Sequence, residues 1–101
     1  MKLNVNDIIK SNSGSGLTYI VAEARADDSI VCLDATLDGR PCATETSSGR
    51  RYRTTTITSR EFDYFRFDVV GECAPELVLA AMEMRRINAA ADAQMFAQRD
   101  A

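Results

Sequence analysis

Residues Thr18 to Ala35, TYIVAEARADDSIVCLDA, hold two runs rich in β-branched and aromatic side chains, Thr18 to Ala24 and Ser29 to Ala35, separated by the polar break Ala26-Asp27-Asp28. Side chains of that kind fit a pleated, half-buried surface, and an acidic break of this length suits a tight turn. The stretch therefore predicts two strands of a β-meander. Upstream, Leu3 to Lys10 (LNVNDIIK) alternates well enough to be a first strand, and Ser11 to Gly16 (SNSGSG) supplies the turn into the second.

Downstream the rhythm breaks. Thr36 to Gly49 (TLDGRPCATETSSG) is punctuated by Asp38-Gly39 and Pro41 and reads as a long loop, beyond the usual length of a hairpin connection. Arg50 to Ser59 (RRYRTTTITS) reads as one strand, Arg60 to Asp63 as a single helical turn or tight bend, and Tyr64 to Val70 (YFRFDVV) as a strand with Phe65, Phe67 and Val69 inward. Five short strands in this length are expected to curl into a small barrel rather than stack as a sandwich.

The tail, Pro75 to Gln98 (PELVLAAMEMRRINAAADAQMFAQ), changes period. Leu77, Ala80, Met84, Ile87, Ala91 and Met95 recur at three- and four-residue steps and share one side of a 3.6-period helix. Pro75 suits the first turn because it has no N–H to leave unpaired, and Glu76 complements the positive end of the dipole. A second apolar line, Val78, Met82 and Phe96, lies around the helix from the first, so two faces need cover. The alanines between them would let another helix approach closely. The expected fold is α+β, mainly β: a five-stranded antiparallel barrel over residues 1–71, with a long C-terminal helix over 75–98 in the same domain.

Composition excludes more than it names. The chain has 101 residues, net charge −3 and pI near 4.8, which argues against a domain whose main task is to neutralise nucleic-acid phosphates. It contains no histidine, so imidazole-based general bases, Ser/His or Cys/His nucleophile pairs and the common zinc sites are out of reach. Gly14 and Gly16 form a GxG fragment, but a strand follows where a phosphate-binding loop needs a helix. Asp34, Asp38, Glu45 and Asp63 match no calcium-loop spacing, and Asp38 before Gly39 is what a turn asks for. Cys32, Cys42 and Cys73 are an odd set without a CxxC pair and read as free thiols of a cytoplasmic protein, in a sequence lacking a secretory h-region or an apolar run long enough to span a bilayer. No enzyme and no cofactor or metal is expected.

The opening VNDIIKS-NSGSG-LTYIVAEA-RADDS-IVCL resembles SH3-like barrels of the KOW and Tudor type, in which a V-x-D-x-V/I-x strand leads through a Gly/Ser loop to a Y-x-V strand and then past an acidic turn. The resemblance covers residues 3–33 and implies an SH3-like barrel; Asn6 replaces the glycine usual before the aspartate.

With catalysis set aside, the expected function is that of a small binding protein occupying a surface of another protein, similar to phage- or mobile-element-encoded inhibitors of host defence or nucleic-acid machinery. Asp27, Asp28, Asp34 and Asp38 are candidate mimics of nucleic-acid charge. Arg50, Arg51, Tyr52, Arg53 and Arg66 form the basic candidates, and they carry the alternative function of a barrel that binds nucleic acid through phosphate contacts and stacking on Tyr52. Leu77, Ala80, Met84, Ile87, Ala91 and Met95 are the candidates for helix packing or for a homodimer through the tail.

Overall fold

The computed structural model describes residues 3–14 and 16–99. Its strands and helices follow in the order β1 (Asp7–Ser11), β2 (Thr18–Ala24), β3 (Ile30–Asp34), β4 (Ala43–Thr46), β5 (Gly49–Tyr52), β6 (Thr54–Ile57), α1 (Ser59–Tyr64), β7 (Phe67–Glu72) and α2 (Pro75–Arg99). Five strands form one antiparallel sheet in the order β6-β3-β2-β1-β7, and β4 and β5 pair separately as a hairpin. The protein is thus α+β and mainly β, with a long C-terminal helix. None of the described helices is long and apolar enough to cross a membrane.

The sheet is covered on both faces, and the period of two along its strands explains how. Ile9, Val21, Ile30, Cys32, Ile57 and Phe67 form one buried cluster; Ile20 and Leu33 point the other way and join Cys73, Val78 and Ala81 in a second. The first cluster is lidded by aromatic rings. Phe67 lies 5.8 Å from Tyr19, 5.7 Å from Phe62 and 6.2 Å from Phe65, centroid to centroid. The second cluster is lidded by the first turns of α2. Burial on both faces makes the run Ile30 to Leu33 continuously apolar instead of alternating.

The expected closed barrel is not formed among the described residues: β6 pairs only with β3, and β7 only with β1. Bulges between Ile8 and Ile9 and between Val21 and Glu23 bend the sheet. The ring is nevertheless left open. The reason lies in Arg50 to Ser59, which is not one strand. It divides at Arg53, its first half pairs with β4 outside the sheet, and only four residues remain for β6. The gap between β6 and β7 is spanned by α1, whose Phe62 packs with Phe65 on the cluster that contains Ile57 and Phe67. That short helix is fixed by a capping box: Thr58 Oγ1 accepts from the Glu61 amide, and the Glu61 carboxylate accepts from the Thr58 amide.

The segment expected as a loop, Thr36 to Gly49, is also ordered. Thr36 to Arg40 is a tight turn, closed by the Thr36 amide donating to the Arg40 carbonyl at 2.8 Å, and Gly39 takes φ +81° within it. A Cβ on Gly39 would stand 2.6 Å from Ile8 Cδ1, so this turn is seated against β1. Ala43 to Thr46 then pairs with Gly49 to Tyr52.

Replacing fully buried Leu33 by Ala is expected to lower unfolding stability by about 2–5 kcal/mol in urea titration. The change Leu79→Ala, at a position 70% exposed on α2, should stay within about 0.5 kcal/mol. Of the three thiols, Cys32 and Cys73 are buried and Cys42 is exposed. Burial, with the Asp34 charge added, pushes the Cys32 thiol up to about 12, and burial followed by Glu76 raises Cys73. A thiol reagent should therefore titrate Cys42 in the native protein and all three cysteines after unfolding.

Candidate binding surface

Helix α2 is 25 residues long, roughly 37 Å at 1.5 Å per residue, and two kinds of contact hold it. Near its start, Val78 and Ala81 are buried against Ile20 and Leu33, with Met82 half-buried beside them. One and two turns further on, the same face becomes polar and meets the β4–β5 hairpin. Arg85 Nη1 donates to the Tyr52 carbonyl at 2.5 Å, and Asn88 Nδ2 donates to the Arg50 carbonyl at 3.0 Å. Arg51 closes the contact with a two-pronged ion pair to Asp92, at 2.9 and 3.2 Å, and also donates to Ser48 Oγ. Carbonyls on the open edge of β5 have no further strand to serve, so donors from the helix take that place. A cleft of about 150 Å³ remains between hairpin and helix, lined by Arg51, Tyr52, Arg85, Asn88, Ala89 and Asp92.

The face that packs on this chain is not the Leu77 to Met95 line, for which the sequence leaves packing on the barrel and pairing with a second copy both open. Val78, Ala81, Arg85, Asn88 and Asp92 lie one residue along from Leu77, Ala80, Met84, Ile87 and Ala91, at the same three- and four-residue spacing, and it is the former that turn inward. Leu77, Ala80, Ile87, Ala91 and Met95 are exposed, and Met84 is half-buried. Of the second apolar line, Val78 is buried and Met82 half-buried, but Phe96 is 66% exposed because the helix has by then passed the hairpin. From Ala93 to Ala97 every residue is exposed. The flank of α2 next to its packed line, called its outer face below, is thus an apolar strip largely without cover on this chain, bordered by Glu76 and Glu83, and Glu83 is joined to Arg86 in an ion pair of 2.5 Å.

The basic candidates are mostly engaged at home. Arg50 Nε donates to Glu45 at 2.8 Å, Arg51 is held by Asp92, and Tyr52 is half-buried in the second core cluster. Arg53 is 84% exposed at the side chain, with its Nε 4.0 Å from Asp34. Arg66 stands apart, at the α1–β7 junction with φ +53°, beside a broad shallow depression lined by Asn12, Ser13, Tyr64 and Phe65.

The four aspartates are not brought into one patch. Asp27 and Asp28 occupy the β2–β3 turn, where Asp27 accepts from the Ser29 amide and hydroxyl, which holds its carboxyl below the usual range, and Asp28 takes φ +66°. Asp34 stands at the other end of β3, roughly 13 Å along the strand from Ile30 at about 3.3 Å per residue, and accepts from Thr55 Oγ1. Asp38 accepts from Thr36 Oγ1 in the following turn, and that bond lowers its pKa. Each does local work in a turn or strand end. Among the described residues no three His, Cys, Asp or Glu side chains gather into a metal site.

Sequence reasoning missed Arg85, Asn88 and Asp92 as anchors, because polar residues at helical spacing look like a solvated face. A signal was present all the same: they continue the line of Val78 and Ala81 at steps of four, three and four. A line that starts apolar and turns polar suits a helix leaving a core to meet an open strand edge.

The ion pair between Arg51 and Asp92 makes the attachment pH-dependent. The hydrogen bond from Arg51 holds the Asp92 carboxyl below its ordinary value of 3.8, so its stabilising effect is present above that value and is lost as pH falls through the lowered one. Wild type is expected to melt above Asp92→Asn at neutral pH, and the two melting temperatures should converge in acid. A difference that survives full protonation would sink the ion-pair assignment.

Compared with known proteins, the chain matches no family model, no curated protein and no solved structure.

Proposed function

We propose that this chain is a non-enzymatic binding protein that uses the outer face of α2 to dock against a protein surface. One observation carries the reading: Leu77, Ile87 and Met95 stand 42%, 47% and 57% exposed on a face of the helix about 100° around from the line that is already anchored. Large apolar side chains scattered singly on a surface need no explanation, but several on one side of a rigid rod are the pattern of helix docking. The anchoring matters as much as the strip. Because the inner face is pinned through Arg85, Asn88 and the Arg51–Asp92 pair, the outer face is preorganised, and docking costs little ordering entropy.

The sheet serves as the support. Its order, with the last strand returning beside the first and two bulges bending the middle, favours the open form of an SH3-like barrel. The three free thiols suit a reducing, cytoplasmic setting. Binding to nucleic acid through the Arg50–Arg53 cluster is the weaker alternative, since Arg50 and Arg51 would have to leave Glu45 and Asp92 to reach phosphates.

The double change Leu77→Lys and Ile87→Lys tests the reading. Both positions are exposed, so melting temperature and far-UV circular dichroism should stay at wild-type values. Association, whether measured with the purified chain or as capture of a partner from extract of the source cell, should fall to background. Unchanged association in a folded double variant would remove the outer face from the function.

A further inference from the structure

We infer that the occupant of the outer face is a second copy of this chain, with the two α2 helices antiparallel and the two-fold axis between Met84 and Ile87. This rests on the reading of that face as a docking surface and names what docks there.

Three features point to it. The first is self-complementarity of the strip. If positions of the two copies sum to about 171, Met84 meets Ile87 of the second copy, Ala80 meets Ala91, and Leu77 lies within one residue of Met95. Large side chains then pack on large ones at the axis and at the ends, and the alanines between them allow the backbones to come close. A two-fold axis needs such a patch, one that reads the same from both chains.

The second feature is charge. Glu76 and Glu83, the latter paired with Arg86, border the N-terminal half of the strip, whereas Ala90 and Gln94 border the C-terminal half. An antiparallel pair sets each glutamate-bearing half beside one without and opposes the two helix dipoles, whereas a parallel pair would align the dipoles and set like residues side by side.

The third is the overhang. Beyond Asp92 the helix has no sheet or hairpin beneath it, and Met95 and Phe96 are exposed. In the antiparallel pair that end runs beside the start of the second copy's α2, which sits over its own core cluster of Cys73, Val78 and Ala81. A parallel pair would bring the two overhangs together with no core under either.

Cysteine crosslinking in a Cys42→Ser background tests the arrangement, with Cys32 and Cys73 protected by burial. Ala80→Cys and Ala91→Cys are prepared separately, then oxidised alone and as an equimolar mixture exchanged through the monomer. Covalent dimer is expected in the mixture, as an 80-to-91 disulfide, and only at background in either variant alone. Efficient crosslinking of each variant with itself would overturn the antiparallel register. Light scattering of the wild type over a range of concentrations is the companion measurement. A chain that stays monomeric overturns the inference altogether. The docking reading itself falls separately, if the Leu77→Lys and Ile87→Lys double variant also leaves partner capture unchanged.

Discussion

Ile20 and Val21 are neighbours on β2 and both are fully buried, which means that the middle of the sheet has no face available to water. That constraint governs the remaining elements. A sheet of five short strands with apolar side chains on both sides requires two separate covers, and the chain supplies them in sequence order. Residues after β6 provide the aromatic cover, built around Phe67 and the capped turn α1. Residues after β7 provide the helical cover, built around Val78 and Ala81. Neither lid is large, and the sheet between them is where most of the fully buried volume lies.

The second lid is longer than its task. Two turns of α2 are enough to cover Ile20 and Leu33, yet the helix continues for several turns more. The hairpin β4–β5 answers part of that excess. It pairs apart from the main sheet and meets the helix along its inner side with backbone carbonyls and one arginine. What would otherwise be a detached and marginal helix is thereby held in register with the body. The outer strip gains a fixed direction in space, and the most basic segment of the sequence is spent in providing it.

Much of this was legible from residue pattern. The β2–β3 meander, the single turn of α1 and the C-terminal helix all follow from periodicity and turn chemistry that agree with their tertiary setting. Four things were not. The strand expected over Tyr64 to Val70 begins only at Phe67, because Tyr64 closes α1, and Val69 is exposed on it. The division of Arg50 to Ser59 at Arg53 is invisible to alternation, because Tyr52 and Thr54 keep the same parity on either side of it while pairing with different neighbours. The hairpin inside Thr36 to Gly49 is hidden by Pro41 and the adjacent small polar residues, which signal a loop equally well. Finally, two helical lines one residue apart have the same spacing, so periodicity could not decide between Leu77–Ala80–Met84–Ile87 and Val78–Ala81–Arg85–Asn88. The partners made that choice: an apolar patch at one end and an open strand edge at the other. The carboxylates that engage Arg50 and Arg51, Glu45 and Asp92, come from places that local sequence does not connect.

The gap between β6 and β7 has one more consequence. A closed ring has no free strand edges, but an open one exposes two, each with unpaired backbone groups able to recruit a strand from another molecule. This chain keeps both edges poor templates. On one side β6 is only four residues long. On the other, β7 places Asp68 and Glu72 around exposed Val69 and Val70, contains Gly71, and pairs with β1 through a bulge that skews its line. Openness is thus tolerated without runaway sheet extension.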